Sequence, residues 1–559
     1  MLAILTSLFL FFVTFLISGV AIAGNVDTLG IGAKATSLGG AFSARADDFS
    51  AMYYNPAGIV QLTRPQISVG TSIVNPSVAA KTDYRNEYEE VTGGFSKDKS
   101  QLLIYPHAGF IYPFQLFGKK AAFGIATYVP YGLWLGWKED PSKNPGAYNT
   151  YESWYYRVVS ASPTLAIQVT DRLMVGFNVA FGNSHSGVYR RIYQSPFIVQ
   201  AGSGFSQLFN GFVGAGLPTS TASDLSAGLV LLKDPQVFSL VANKVGGAST
   251  LSNLITQAIY YGNPIAISAL ESIFTSPNFY PNLLKVKALP LIANLKDGKM
   301  KTRAVDDFNW SFNIGLIYKV RDNLQVGLTY RGPTKTNFWL RTRVYDGNDN
   351  KVDSVEGHTW IDHPDQIQAG VYWRPIEKLH LEVDATWTNW RRISHYKVVF
   401  NRPLLYPYFY NGLIQEGVDP LTAEALAKQL AISKEDYKRH WMNTVQLRFG
   451  AEYQLLDWLS LRAGYYYDPS PIPDKTVDVT WPDTNKHTFA IGTGLKLFGG
   501  KLLVDATYQY TRTSGTRSID WGRSENLNNT FGLESENPEA KLAGRGTVHN
   551  FQITVTYPF

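Results

Sequence analysis

At the end of the chain Phe551, Ile553, Val555, Tyr557 and Phe559 are apolar, with Gln552, Thr554 and Thr556 set between them. A period of two puts the two sets on opposite faces of a strand, so this stretch predicts an amphipathic β-strand ending on an aromatic residue. The alternation recurs at Leu324, Val326, Leu328 and Tyr330, and again at Leu379, Leu381, Val383, Ala385 and Trp387. His380, Glu382, Asp384 and Thr386, interleaved with the last set, are expected to face a polar interior.

Candidate strands of this kind lie at about 66–75, 102–114, 121–131, 156–169, 172–190, 303–319, 323–344, 361–374, 379–400, 441–455, 458–467, 485–498, 501–514 and 545–559. Their even number, and the roughly 9 to 11 residues that nearly all of them reach, suit strands that cross a membrane while tilted. The connections alternate in length. Asp171-Arg172, 320–323, 375–378, Leu456-Asp457 and 498–500 read as tight periplasmic turns, whereas 191–302, 401–440 and 515–544 read as long extracellular insertions. A soluble sandwich has no reason to keep its long loops at one end. The fold class expected is therefore all-β, a transmembrane antiparallel β-barrel of about 14 strands spanning 66–559.

The insertion 191–302 carries apolar runs at 225–232, 251–261 and 265–274, separated by Pro235, Pro264, Pro277, Pro281 and Pro290, and these predict short helices. Two packings are open: over the barrel mouth as a hydrophobic landing site, or against one another. In the second insertion, Ser433-Lys-Glu-Asp436 resembles a helix start.

Composition supports the membrane reading. Charged residues make up 17% of the chain and aromatics 14%, less charge than a water-soluble surface usually carries. Residues 4–17 are apolar and are followed by Ala21-Ile22-Ala23, so 1–23 are expected to be a signal peptide, although no Lys or Arg precedes Lys34. Beyond position 24 no run approaches the length of a spanning helix. Basic residues are spread among acidic ones, which argues against nucleic acid as a partner; a few near the outer rim are expected to meet lipopolysaccharide phosphates.

Residues 24–65 are rich in small side chains, include the turn signal Asn55-Pro56-Ala57-Gly58, and precede the first strand. A fourteen-stranded barrel leaves a water channel unless something fills it, and this stretch is placed to be the plug. Pro56 lacks an N–H and biases Asn55 toward extended backbone, while Asn55 can bond to the main chain two residues on. Asp47 and Asp48 are plug-anchoring candidates, pairing with wall arginines or capping a short helix from Phe49.

Gly39-Gly40-Ala41-Phe42, Asp47-Asp48 with Ser50-Ala51, and Asn55-Pro56-Ala57-Gly58 stand in the order used by the FadL-type outer-membrane transporters of long-chain fatty acids and aromatic hydrocarbons, which the chain resembles. Ser470-Pro471-Ile472-Pro473-Asp474, 482–487, His363-Pro364-Asp365 and 384–390 extend the resemblance over most of the chain. It implies a monomeric barrel closed by an N-terminal hatch, with Asn55, Pro56, Ala57 and Gly58 as the gate element. It further implies passive, substrate-gated transport with a sideways exit. The implied partners are a hydrophobic small molecule, lipopolysaccharide and phospholipid, and the outer-membrane assembly machinery. No cofactor or metal is expected, and no catalytic residues. Cysteine is absent, the nine His are scattered, and neither a Gly-x-Ser-x-Gly elbow nor a phosphate loop occurs. A lipolytic enzyme and a general porin for polar solutes are the rival readings.

Overall fold

The computed structural model describes residues 30–85, 91–99, 101–194, 196–528 and 539–559. The expected signal peptide, 1–23, lies outside them. One antiparallel sheet closes on itself through fourteen wall strands. They are β1 (Gln66–Arg85), β2 (Val91–Lys97 with Leu103–Leu116), β3 (Lys119–Gly136), β4 (Glu152–Ala161 with Thr164–Gln168) and β5 (Leu173–Arg191). Next come β6 (Lys299–Arg321), β7 (Leu324–Arg331 with Phe338–Tyr345), β8 (Lys351–Thr359 with Gln366–Ile376) and β9 (Leu379–Thr388 with His395–Leu404). The circuit ends with β10 (Ile432–Lys438 with Thr444–Leu456), β11 (Leu459–Asp468), β12 (Lys486–Leu497), β13 (Leu502–Thr513) and β14 (Glu539–Pro558). β14 pairs with β13 on one side and with β1 on the other, from Gln66 opposite Pro558 to Arg85 opposite Glu539. Closure removes every open edge, as a bilayer requires of any strand that crosses it.

The faces separate as the alternation predicts. Along β14, Phe551, Ile553 and Tyr557 point outward and are exposed, while Gln552, Thr554 and Thr556 are buried. Along β9, Val383 is exposed and Glu382, Asp384 and Thr386 are buried in the lumen. Tight turns such as 117–118, 322–323 and 377–378 gather at one rim, and the long connections leave from the other. β7 to β10 are each interrupted at 332–337, 360–365, 389–394 and 439–443, so their lower halves form the membrane wall and their upper halves a crown.

The lumen is filled near its middle by residues 30–64, which contain α1 (Ala33–Ser37), α2 (Ala51–Tyr54) and a 3-10 turn (Pro56–Gln61). The insertion after β5 folds into α3 (Pro196–Gly214), α4 (Thr219–Leu231), α5 (Pro235–Val245), α6 (Ala248–Tyr261), α7 (Pro264–Phe274), α8 (Tyr280–Lys287) and α9 (Leu289–Ala293). Phe205, Leu225, Leu251, Leu270, Phe274 and Leu283 give this module its own apolar core. Only its last stretch, through Ala288 and Leu295, joins the cluster inside the barrel mouth. The helices therefore pack chiefly against one another.

A hairpin of α10 (Tyr406–Gln415) and α11 (Pro420–Leu430) follows β9. The expected helix start at Ser433 is corrected: Ile432–Lys438 is a strand, paired with β9 from His395 opposite Lys438 to Val399 opposite Lys434. The Ser-x-x-Asp cue is local, and the backbone partners offered by β9 override it.

Ile491 lies midway along β12 and is 62% exposed on the outer face. Ile491→Arg is expected to destabilise the barrel by about 2–4 kcal/mol in liposomes, as a cation does at the bilayer midplane. Urea unfolding, read by tryptophan fluorescence, measures this.

Candidate functional site

Residues 30–64 touch the wall almost all the way round, but the contacts differ by sector. From β6 to β14 they are polar. On β9, Asp384 Oδ2 accepts from the main-chain N–H groups of Phe42 and Ser43 at 3.1 and 3.0 Å, and Glu382 Oε1 accepts from Ala44 at 2.7 Å and Arg45 at 3.3 Å. Four consecutive donors that would otherwise be buried without partners are thus satisfied, which is worth the desolvation cost of each. On β8, Gln368 Nε2 donates to Gly40 O, and on β10 an Arg448 Nη1–H donates to Gly39 O at 3.0 Å. The Arg331 guanidinium of β7 reaches the carbonyls of Tyr53 and Tyr54 and lies over the Tyr53 ring. Thr507, Thr554 and Gln552 bond to Ala33, Thr36 and Gly30 from β13 and β14.

One ionic chain runs through the same sector. Lys34 and Arg45 both pair with Asp47, Arg45 continues to Glu452 of β10 at 2.7 Å, and Glu452 and Asp505 share Arg462. Charges alternate along it, so each buried ion has an opposite neighbour.

From β2 to β5 the contacts are chiefly apolar, and on β6 apolar packing meets the polar bonds from Asn55 to Leu316 O and from Asn313 to Met52 O. Phe49 stacks on His107 at 5.3 Å, and Tyr53 meets Tyr128 edge on. Met52, Ala57 and Ile59 pack among Ile111, Ala122, Ala126, Val159, Ala166, Met174 and Ile317. Here the wall ladder is also interrupted. Between β3 and β4 the register jumps from Tyr128 opposite Val159 to Tyr131 opposite Arg157, passing over Val129-Pro130, and β4 breaks at Ser162-Pro163. Neither proline can donate to the ladder. A cavity of about 30 Å³, room for about one water, lies beside this gap, bounded by Ile31, Val74, Tyr105, His107, Tyr128 and Val129.

Glycines bring segment and wall together. A Cβ on Gly176 would overlap Pro56 and Ala57, on Gly327 the Ser43 carbonyl, on Gly464 the Gly39 amide, and on Gly492 the Ser37 side chain. Each stands within a wall strand and faces the lumen, a place where a glycine marks close approach of another backbone. Gly39 and Gly40 take φ of 65 and 72°, a turn that lets main chain rather than side chain meet β11.

Among the residues singled out from sequence, Asn55 is extended (φ −157°); its Oδ1 accepts from Ala57 N–H, and its Nδ2 donates to Ser43 O and Leu316 O. Pro56 and Ala57 lie on Gly176, and Gly58 is pressed against Ala46. Asp47 pairs within its own segment and reaches the wall only through Arg45, and Asp48 accepts from Ser50 N–H and Oγ–H at the entry to α2. Burial alone would raise the Asp47 carboxyl, but Arg45 and Lys34 hold it well below the carboxylate range. Burial pushes Asp48 up to about 6. Glu382, Asp384, Arg331, Arg448 and the wall glycines were not singled out as anchors from sequence; polar and glycine residues recurring at inward positions of the strands are their signal.

A closed barrel with an apolar outer face and a filled lumen is an outer-membrane β-barrel that spans the membrane many times. The chain matches, over residues 15–228 and 245–556, the family described as Outer membrane protein transport protein (OMPP1/FadL/TodX), and it belongs to that family, a transport family and not an enzyme one. It is 21% identical over 505 residues to an outer membrane protein of Neisseria meningitidis serogroup B, covering 86% of this chain and 84% of the other. Outer membrane protein P1 of Haemophilus influenzae is 24% identical over 257 residues, 45% of this chain and 49% of that one. The fold is similar to a Pseudomonas aeruginosa FadL homologue at TM-score 0.62, with 15% identity over 97% of this chain and 100% of that one. It is also similar to the Pseudomonas putida toluene transporter TodX at TM-score 0.53, with 14% identity over 96% and 99%.

Gly464→Val is expected to leave the barrel assembled but to displace residues 30–64, raising single-channel ion conductance at least severalfold above that of the native chain; planar-bilayer recording checks this. A second expectation concerns pH. Because the folded state binds the Asp48 proton more tightly than the unfolded chain, docking of the segment weakens as pH rises from about 4 through 6. Amide exchange of residues 30–64 should therefore speed up over that window, and Asp48→Asn should remove that part of the slope.

Proposed function

We propose that residues 24–65 act as a movable hatch in passive transport of hydrophobic compounds, with sideways release between β3 and β4. The observation that carries this reading is the split between polar anchoring from β6 to β14 and apolar packing beside the proline-interrupted pair. An apolar solute competes poorly with hydrogen bonds but can replace apolar side chains at little cost. On the β2 to β6 side it would substitute for Phe49, Met52 or Ile59, while the Glu382, Asp384 and Arg331 anchors keep the hatch in the barrel.

Asn55, Pro56, Ala57 and Gly58 then form the gate element, because they rest where the two sectors meet, on β5 and β6. Asp47 would hold the polar half through Arg45, and Asp48 would set the entry to α2. Burial of each methylene contributes roughly 0.8 kcal/mol, enough to move an alkyl chain from water into the lumen without nucleotide hydrolysis. A hydrophobic small molecule is the substrate, as it is for the toluene transporter that shares the fold. Phospholipid and lipopolysaccharide would surround a monomeric barrel, and the C-terminal strand ending on Phe559 would be read by the assembly machinery.

The chain contains no cysteine, so one engineered pair can be unique. Met52 lies against the place where a side chain on Gly124 would begin. Met52→Cys with Gly124→Cys should lock the hatch to β3 when oxidised and lower cellular uptake of radiolabelled oleate or toluene at least tenfold, with recovery on reduction. Equal uptake by the locked and reduced forms would refute hatch movement on that side, and high ion conductance without uptake of either compound would leave a porin.

A further inference from the structure

The outer wall carries a cluster of cations immediately above the membrane band. On β6 the outward residues Tyr318, Leu316, Ile314, Trp310 and Phe308 are all exposed and apolar. Ten residues separate Tyr318 from Phe308, about 25 Å along the membrane normal for a tilted strand, which is the height of a barrel's apolar band. The outward residues that follow on β6 beyond this band, away from the tight turns, are Asp307, Val305, Arg303 and Lys301. On β7, Trp339 is followed outward by Arg341 and Arg343. The register sets Arg303 opposite Arg341 and Lys301 opposite Arg343.

Four cations thus share two adjacent cross-strand pairs, where like charges destabilise a sheet. The wall offers them little relief. Glu356 pairs with Arg341 at 2.6 Å, and Arg303 donates from Nε to the Tyr189 hydroxyl, beside which Glu152 lies. Lys301 lies by the ring faces of Tyr189 and Tyr345 at 5.4 and 5.7 Å and near Asp349, whose ion pair is with Lys299, and Arg343 has no hydrogen-bond or ion-pair partner among the described residues. Aromatic rings border the patch: Trp154, lying over Gly187, Trp339 beneath Arg341, and Tyr345.

We infer that Lys301, Arg303, Arg341 and Arg343 bind the phosphates of a glycolipid of the outer leaflet, lipopolysaccharide, seated with its acyl chains along Phe308 and Trp310. The argument is positional as well as electrostatic. The cations stand at the height where that lipid carries its phosphates, on the side of the barrel away from the short turns, and guanidinium groups match phosphate oxygens in pairs. A bound dianion would remove the like-charge cost that the bare wall bears. This assignment rests on the outer-membrane location and is independent of transport.

The test uses full-length protein stripped of lipid and titrated, by native mass spectrometry, with lipid A bearing two phosphates, with its dephosphorylated form, and with dioleoylphosphatidylglycerol. Native protein should bind phosphorylated lipid A at least tenfold tighter than the other two. The variant with Lys301→Gln, Arg303→Gln, Arg341→Gln and Arg343→Gln should lose at least tenfold of that affinity. The milder pair Lys301→Gln with Arg343→Gln, which touches only the two cations with no hydrogen-bond or ion-pair partner among the described residues, should lose about threefold and guards against misfolding of the quadruple variant. Heat-modifiable gel migration verifies that each variant is folded. Equal lipid A binding by the native chain and the folded variants would overturn the site, equal binding of the dephosphorylated form would remove the phosphate as its ligand, and equal binding of phosphatidylglycerol would remove the glycolipid.

Discussion

A fourteen-stranded wall satisfies its own backbone but encloses a lumen too wide for wall side chains to fill, and the rest of the structure depends on how that space is occupied. Residues 30–64 occupy it as irregular chain and very short helices, so they bring many main-chain N–H and C=O groups that their own folding leaves open. Inside a closed barrel these groups must find partners in the wall. The wall supplies them: carboxylates where amide donors converge at 42–45, guanidinium and carboxamide groups where carbonyls face outward at Gly39, Gly40, Tyr53 and Tyr54. Wall glycines allow the approach, because hydrogen bonds to main chain need main chain at short range.

The same need explains why the segment is not fixed equally on all sides. Its main-chain polar groups face β6 to β14, and its large side chains, Phe49, Met52 and Ile59, therefore project toward β2 to β6. On that side Met52, Ala57 and Ile59 pack among Ala122, Ala126, Val159 and Ala166, and Pro130 and Pro163 withhold donors from the ladder between β3 and β4. Polar bonds hold position over a narrow range of geometry, whereas apolar packing tolerates exchange of one hydrocarbon for another. One segment can thus be anchored and displaceable together.

Much of this was legible in the sequence, for a physical reason. A strand with lipid on one face and a polar lumen on the other has to alternate, and the alternation located all fourteen wall strands, the side from which the long connections leave, and the tight turns except that at 117–118. The plug was legible by its order and its turn chemistry. Its anchoring was not. Asp47 and Asp48 were expected either to pair with wall arginines or to cap a short helix from Phe49; Asp48 accepts from Ser50 at the entry to α2, while the wall presents Asp384 and Glu382 to backbone amides, and backbone donors have no sequence signature. The glycines were visible only as an abundance until their positions within strands could be placed against a neighbour. Ser433 misled because a capping pattern is local, while a strand at 432–438 exists only by virtue of β9.

The greasy insertion between β5 and β6 shows a related limit. Apolar runs in a loop report that surface will be buried, not against what. Here α3 to α8 bury most of it among themselves, and the contribution to the barrel mouth is made near Ala288, Leu291 and Leu295, where Tyr408 of α10 donates to Leu291 O and Gly412 admits the Leu291 side chain. Phe409, Leu413, Leu426 and Ala427 of the α10 and α11 hairpin, by contrast, share one cluster with Val74, Trp134 and Phe338 of the wall. The apolar surface continuous with the lumen is therefore shared by the smaller hairpin and the last stretch of the large module, whose earlier helices pack among themselves. Bulk in an extracellular loop and access to the interior are separate properties, and in this barrel they are carried by different helices.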